Sequence, residues 1–214
     1  KWYKDVKPTD KPFLLYLSFK AVHYPFTPAP RHQGRYKDKP IPYPETMART
    51  EENYYSQSTW RKYRRFGIHG IDHMETGAFD KDPVPSFDNL YWKFCETIHG
   101  LDENIGRLIK AVNSSSNNTY LFYMGDNGFA LGEHGFYDKR DAFEESIRIP
   151  MLAYAPGNIP AGLVVEDMIQ NIDIAPTILS LAGKDPKSIS PEMDGISFAP
   201  LIMGKDQINR RNHI

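Results

Sequence analysis

The sequence predicts an α/β domain in which helices flank a mixed, mostly parallel sheet. Short apolar runs at 13–19 and 119–124 have the length and composition of strands that are buried on both faces. Between them, residues 90–112 carry apolar side chains at steps of three and four, which is the period of an amphipathic helix. Strands that alternate with helices along a chain are typical of α/β layers.

The composition narrows the class of protein. The chain has 214 residues, with 26 lysines and arginines against 27 aspartates and glutamates, which argues against a nucleic-acid partner and a polybasic membrane anchor. No apolar run reaches the roughly 18 residues that a membrane span needs. The single cysteine excludes an internal disulfide and a zinc site built on paired cysteines. Because the sequence opens at Lys1 without a methionine, we expect it to be part of a longer polypeptide.

The segments between the two strands differ in their regularity. The first strand, at 13–19, is rich in aromatic residues and follows Pro12. Many prolines between 24 and 44 block helix and central strand alike, so that segment is predicted to run irregularly over a surface. Residues 45–88 are polar and aromatic without clean periodicity, and we expect an irregular insertion there.

The second half of the chain predicts two more strands and a helix. Residues 149–154 have the composition of a third strand, and residues 164–169 that of a shorter fourth one. Asp173 is predicted as the N-cap of a helix that runs to residue 181, with Pro176 in its first turn and Gly183 at its C-terminal end.

A polar turn directly follows the strand predicted at 119–124. Gly125 and Gly128 let the backbone turn sharply, and Asp126 and Asn127 between them present hard oxygen atoms side by side. The carboxyl ends of strands in open α/β sheets are where ligands bind, and such oxygens suit Ca²⁺ or Mg²⁺ better than zinc. A simple Asp-Asn turn that ends a strand is the alternative.

Three basic residues are candidates for contacts with an anion. His134 and Lys139 lie in the loop that follows the turn, where a lysine suits one oxyanion of a sulfate or phosphate. His23 follows the first predicted strand and could donate a hydrogen bond to a leaving oxygen. Solvated loop positions for the first two and a structural role for His23 are the alternatives, and Arg140 is expected to be solvated.

Together these segments resemble the type I, formylglycine-dependent sulfatases of the alkaline phosphatase-like superfamily. Among these, N-acetylglucosamine-6-sulfatases and other glycosaminoglycan sulfatases are the most similar group. The resemblance implies an alkaline phosphatase-like sandwich, of which 1–204 would be the central to C-terminal portion. It makes 45–88 an insertion on the substrate side and leaves 205–214 as a frayed tail. The similarity runs through residues 12–30, 101–107, 117–157, 171–183 and 193–204.

The resemblance implies a role for each candidate residue. Asp126 and Asn127 match the later pair of calcium ligands in the family, with Mg²⁺ as an alternative ion. Lys139 matches the lysine that grips the sulfate group, and His23 matches the histidine that contacts the ester and helps the leaving group depart. His134 lies in a Gly-x-His-Gly stretch and is predicted to bind substrate.

Two parts of the family pattern do not occur in this sequence. The nucleophile is a Cys or Ser in a Cys/Ser-x-Pro/Ala-x-Arg motif, and Cys95 has neither the Pro or Ala nor the Arg at the required spacing. The Asp-Asp pair that opens the metal site is also missing. We therefore expect the formylglycine upstream of this chain, the rest of the polypeptide as a necessary partner, and no turnover by this portion alone.

The resemblance implies hydrolysis of a sulfated sugar in the periplasm, outside the cell or in lysosomes. A phosphodiesterase or phosphonate hydrolase of the same superfamily is one alternative. Asn127 disfavours it, because two-metal sites prefer His and Asp ligands and an Asn ligand suits a single hard cation. A non-catalytic remnant that binds an anionic glycan through the basic cluster at 61–65 is another. A metal site at His69 and His73 is disfavoured, because Gly70 between them makes a helix improbable.

Overall fold

The computed structural model describes residues 11–72, 87–114 and 118–205. The described residues fall into two compact units. The first unit takes its residues from Lys1–Ser115 and Asn127–Ile149, and the second from Ser116–Asp126 and Pro150–Ile214. Helices and strands occur in both units, which confirms the α/β class. The assignment of 1–204 to one domain stays a prediction, and the predicted frayed tail lies outside the described residues except for Lys205.

Short helical segments occupy much of the insertion that was predicted to be irregular. Glu45–Met47 forms one 3₁₀ turn, Glu51–Tyr55 forms one π turn, and helix α1 spans Thr59–Arg64. Ser58 caps α1, since its side chain accepts a hydrogen bond from the backbone N–H of Arg61. These helical segments are too short to produce a recognisable period in the sequence, and the sequence therefore did not predict them. Residues 73–86 of the insertion lie outside the described residues.

The long helix α2 spans Phe87–Asn113 and confirms the helix predicted at 90–112. Its apolar face packs into the core of the first unit, where Leu90 is 2% exposed. On its solvent side, Glu103 accepts hydrogen bonds from Arg31 (2.6 Å) and lies 2.9 Å from Nε2 of the buried His32. The hydrogen bonds from Arg31 and His32 lower the pKa of Glu103. The buried core residues of this unit are Phe26, Ile71, Phe87, Leu90 and Tyr137.

The described residues contain four short strands, which pair within their own units. They are β1 (Leu121–Met124), β2 (Ala130–Leu131), β3 (Tyr137–Asp138) and β4 (Met151–Tyr154). In the first unit β2 pairs with β3, and in the second unit β1 pairs with β4. The strands predicted at 119–124 and 149–154 are thus confirmed with shorter bounds. Both ladders are antiparallel, so the parallel pairs of the predicted sheet are not among them.

Two predicted strands are wrong. Residues 11–20 form no strand, and Leu14 and Tyr16 are 71% and 88% exposed. Residues 164–169 also form none, although Val165 and Ile169 pack against the core of the second unit. An apolar run becomes a strand only where a neighbouring strand takes up its backbone N–H and C=O groups. Neither run has such a neighbour among the described residues.

The remaining helices are short, and α4 is the longest of them. Helix α3 spans Glu144–Ile147 in the first unit. In the second unit α4 spans Ile174–Leu181, which confirms the predicted helix, and it is followed by α5 (Pro186–Ile189) and α6 (Ala199–Ile202). The core of this unit is built on Phe198, Leu201 and Ile202.

Asp173 stands at the start of α4 as predicted, but its side chain does not cap that helix. The carboxylate is 3% exposed and accepts hydrogen bonds from the backbone N–H groups of Gln170 (2.8 Å) and Ile196 (2.7 Å). Thr177 extends this network, because its hydroxyl donates to Asp173 O (2.7 Å) and accepts from the Phe198 N–H (2.9 Å). Two buried polar side chains thereby connect α4 to the chain before α6.

The substitution Thr177→Val is expected to lower the free energy of unfolding by about 1–3 kcal/mol. Valine has the shape of threonine but leaves the buried N–H of Phe198 without its acceptor. The measurement is urea denaturation monitored by circular dichroism. The Thr177→Ser variant keeps the hydroxyl and should lose less stability. Equal losses in the two variants would contradict the proposed importance of the hydrogen bond.

Candidate functional site

The hairpin between β2 and β3 carries His134 and leads into Lys139. Gly132, His134 and Gly135 have positive φ angles of 108°, 57° and 79°. At Gly135 a Cβ would come within 2.2 Å of the Arg65 guanidinium, and the positive φ angle would strain any other residue. The glycines therefore let the turn pass directly over the Arg65 side chain.

Contacts within the first unit hold His134. Its backbone N–H donates to the Thr46 hydroxyl (3.0 Å), and its ring stacks on Phe143 with the centroids 4.0 Å apart. Nε2 lies 3.4 Å from a Glu145 oxygen, which is an ion-pair distance and too long for a strong hydrogen bond. The ring is thus oriented by stacking, and its predicted contact with substrate stays a prediction.

Lys139 follows β3 and is partly exposed. It makes no hydrogen bond or ion pair with the described part of the chain, although Asp138 precedes it. The Asp138 carboxylate is engaged by Arg140 Nε at 3.1 Å and lies 3.0 Å from His69 Nδ1. Burial lowers the pKa of His69, and the Asp138 charge opposes this effect. Because Asp138 faces these two partners, the ammonium of Lys139 remains available to an external anion.

Two further expectations from the sequence concerned Arg140 and the histidine pair His69 and His73. Arg140 is exposed as expected, and its side chain donates a hydrogen bond to Asp138. His69 lies beside this carboxylate, while His73 of the disfavoured metal pair lies outside the described residues.

His23 is exposed, and the hydrogen bonds of its side chain within the described residues go to its neighbours in the sequence. Its Nδ1 lies 2.6 Å from the carbonyl oxygen of Tyr24 and 3.1 Å from Lys20 Nζ. Since these contacts involve only Nδ1, the other ring nitrogen has no partner among the described residues. The predicted contact of His23 with the ester stays a prediction.

The side chains of Asp126 and Asn127 carry oxygen atoms that suit a hard cation, but two side chains supply too few ligands for one. Asp126 is exposed, and the Asn127 side-chain amide donates to the carbonyl of Gly128 (2.6 Å), which leaves its oxygen without a partner in the described chain. Calcium takes about 6–8 oxygen ligands. No group of three or more His, Cys, Asp or Glu side chains that could hold a metal occurs among the described residues. The role of Asp126 and Asn127 as cation ligands therefore stays a prediction.

Four of the five predicted site residues, all except Asp126, belong to the first unit. Within the described part of that unit, no hydrogen bond or ion pair joins any two of His23, Asn127, His134 and Lys139. His134 and Lys139 are close along the chain because they share the β2–β3 hairpin and its exit.

None of the helices in the described part of the chain combines the length and the apolar character that a membrane span requires.

The sequence analysis missed a buried ion cluster below the basic segment. Asp72 is 2% exposed and pairs with Arg49 (2.7 Å) and Arg65 (3.1 Å). Arg65 is itself 4% exposed and also donates to the carbonyl of Met47 (2.8 Å). The only signal in the sequence was the run of basic residues at 61–65, which needs a counter-charge. Several acidic residues lie nearby in the sequence, and the sequence did not indicate which of them supplies it.

Cys95 lies on α2, far along the chain from the hairpin, and burial raises the pKa of its thiol, with a smaller contribution from Glu96. We expect it to react with iodoacetamide near neutral pH more slowly in the folded chain than in denaturant, because less thiolate is present. Since the sequence holds one cysteine, total alkylation measured by mass spectrometry reports this residue alone. Equal rates in both states would contradict a structural role.

Comparison with known proteins gives the class of the chain. The sulfatase family profile matches residues 2–184, which is most of the sequence. The chain therefore belongs to the sulfatase family, as the resemblance implied. Its described residues also share the fold of solved sulfatases, including a putative sulfatase from Bacteroides thetaiotaomicron with a TM-score of 0.61 over 80% of this chain and 36% of that one, at 21% identity.

Among curated relatives, the chain is similar to N-acetylglucosamine-6-sulfatases. It is 29% identical to the one from Bos taurus over 220 residues, which cover 99% of this chain and 35% of the relative. It is 28% identical to N-acetylglucosamine-6-O-sulfatase from Bacteroides thetaiotaomicron, over 90% of this chain and 42% of the relative. The chain thus spans between a third and a half of these relatives.

One solved structure adds information about a substrate. It shows a protein in complex with its substrate D-glucosamine-2-N,6-O-disulfate, and its likeness to this chain has a TM-score of 0.66 at 25% identity. The match covers 90% of this chain and 48% of that one.

Proposed function

We propose that the protein containing this chain hydrolyses a sulfate ester on a glycan. The observation that carries the proposal is the ammonium of Lys139, which has no partner among the described residues, in a chain that belongs to the sulfatase family. A lysine ammonium without a counter-charge is a point-charge donor suited to one sulfate oxygen. The family match supports the reaction, and the ammonium without a described partner is compatible with the role that the resemblance implies for Lys139.

Each candidate residue has a role in this proposal. Lys139 binds and neutralises the sulfate group, and His23 contacts the ester through Nε2 and helps the sugar oxygen to leave. His134 contacts the substrate beside them. Asp126 and Asn127 supply two oxygen ligands to Ca²⁺ or Mg²⁺, and the bound cation adds positive charge for the sulfate.

The nucleophile is proposed to be a formylglycine elsewhere in the polypeptide. The 214 residues contain no Cys/Ser-x-Pro/Ala-x-Arg motif, and Cys95 lies in a different sequence context on α2. The remaining ligands of the cation are also assigned to the rest of the polypeptide. The catalytic centre therefore needs residues beyond those of this chain.

The relatives support a proposal for the substrate class. Curated relatives are named N-acetylglucosamine-6-sulfatases, and the similar solved protein holds a 6-O-sulfated glucosamine. We propose a 6-O-sulfated glucosamine unit of a glycosaminoglycan or related glycan. A relative in Caenorhabditis elegans is named a putative extracellular sulfatase, which supports a location outside the cell, in the periplasm or in lysosomes.

The test is made on the natural polypeptide that contains this sequence. Purified protein is incubated with N-acetylglucosamine-6-sulfate, and released sulfate is measured by ion chromatography, while peptide mass spectrometry searches for formylglycine. Sulfate release together with a formylglycine peptide is the expected result. Hydrolysis of phosphodiesters or phosphonates without sulfate release would replace the proposal by the phosphonate hydrolase alternative. Absence of all hydrolysis would favour a glycan-binding protein.

A further inference from the structure

A basic pocket lies between α1 with its preceding turn and the Glu133–Gly135 turn of the first unit. The residues that line it include Tyr54, Arg61, Lys62, Arg65, His134 and Phe136. Its innermost space is that of about one water molecule. The pocket therefore has room for the tip of a charged group rather than for a whole sugar ring.

Two of its cations have no carboxylate partner among the described residues. Arg61 donates to the neutral side chain of Gln57 (2.6 Å), and Lys62 donates to the carbonyl oxygen of Tyr55 (2.7 Å). The neighbouring Arg64, by contrast, pairs with Asp141. Arg61 and Lys62 thus bring two positive charges to the pocket that no described acidic side chain neutralises.

Arg65 adds a buried donor. Arg65 pairs with the Asp72 carboxylate, which also pairs with Arg49. Arg65 Nη1 is buried and makes no hydrogen bond in the described chain. A buried, charged N–H group without an acceptor is rare in folded proteins and favours an acceptor supplied from outside.

The aromatic residues of the pocket keep these cations together. The ring of Tyr54 has Arg49, Lys62 and Arg65 within 5.5, 5.9 and 5.3 Å of its centroid. Among the described residues, Asp72 pairs with Arg65 of the pocket, and Glu145 lies 3.4 Å from His134. Arg61 and Lys62 have no described carboxylate partner, so the pocket keeps an excess of positive charge.

We propose that this pocket binds a second oxyanion of the glycan, a sulfate or carboxylate group other than the ester that is hydrolysed. The glycan is the substrate class of the proposed function, on which this inference rests. His134 connects the two sites, because it lines the pocket and stands on the hairpin that leads into Lys139. The enzyme thereby selects sugar chains that carry more than one negative charge.

Calorimetric binding of a heparin tetrasaccharide without 6-O-sulfate tests the pocket apart from hydrolysis, because this probe lacks the ester of the proposed reaction. The natural polypeptide is compared with the double variant Arg61→Gln/Lys62→Gln. A matched double variant, Lys93→Gln/Lys110→Gln, removes the same charge from exposed positions on α2. Removing two charged donors from the pocket is expected to weaken binding at least about 10-fold, and the matched variant should bind as the parent does.

Two further probes identify the oxyanion. If the difference between the variants disappears with the fully desulfated tetrasaccharide, the pocket takes a sulfate. If it disappears with the carboxyl-reduced form, the pocket takes a carboxylate. Equal binding of the natural polypeptide and the pocket variant overturns the inference, and so does equal weakening in both double variants, which would indicate only general charge. None of these results depends on whether sulfate release is observed.

Discussion

Replacement of Lys139 by alanine is expected to lower kcat/KM for a 6-O-sulfated glucosamine by about 100- to 1,000-fold in the natural polypeptide. The ammonium of Lys139 has no acidic partner among the described residues, and the nearby Asp138 faces Arg140 and His69. Loss of this charge leaves part of the sulfate charge without stabilisation as the ester bond breaks. Initial rates of sulfate release at several substrate concentrations measure the effect.

The adjacent Arg140 provides the control for Lys139. The Arg140→Ala variant removes the same charge one residue away. The Arg140 side chain is exposed, and within the described residues it hydrogen-bonds only to Asp138. We expect the Arg140→Ala variant to keep most of its activity. Similar losses in the two variants would mean that general charge at this end of the hairpin matters, and not a specific contact between Lys139 and sulfate.

The variant Asp72→Ala is expected to lower the free energy of unfolding by about 3–5 kcal/mol. Asp72 is 2% exposed and is the counter-charge for both Arg49 and the buried Arg65. Its removal leaves a guanidinium in the interior without compensation. Because folded proteins are stable by only about 5–15 kcal/mol, this loss is a large part of the total. Urea denaturation with intrinsic fluorescence measures it.

An exposed aspartate on α2 provides the control for Asp72. The Asp102→Ala variant makes the same change of charge at a position with no partner among the described residues, and its stability should stay close to that of the parent. If Asp72→Ala is also close to the parent, then water reaches Arg65 in solution and the cluster is not the buried ion pair of the structure.

Local pattern predicted the regular elements that have a local cause. The apolar side chains at steps of three and four in 90–112 predicted a helix, because residues at these spacings share one helix face. The observed helix α2 begins three residues earlier, at Phe87. The strands β1 and β4 were recognised from short apolar runs. The direction of their pairing was not, since an apolar run has the same composition in a parallel and an antiparallel ladder.

Other features depended on partners that no local pattern contains. The run at 13–19 has the composition of a buried strand, yet it has no neighbouring strand among the described residues. Asp173 was recognised as the start of a helix, but its carboxylate accepts a hydrogen bond from the backbone N–H of Ile196, a residue distant in the sequence. The acidic residue that balances the basic segment could not be chosen from the sequence, because ion pairs form between residues that only the fold brings together.

The sequence by itself determined the family of this chain and its chemical candidates, because motifs such as the Asp126-Asn127 turn and the Lys139 loop are contiguous. The tertiary structure alone decided which charges are neutralised. It placed Asp72 between two arginines, turned Asp138 toward Arg140 and left Arg61 and Lys62 without a carboxylate partner among the described residues. The physical reason is that electrostatic pairing depends on distances of a few ångströms, which are set by folding and not by order along the chain.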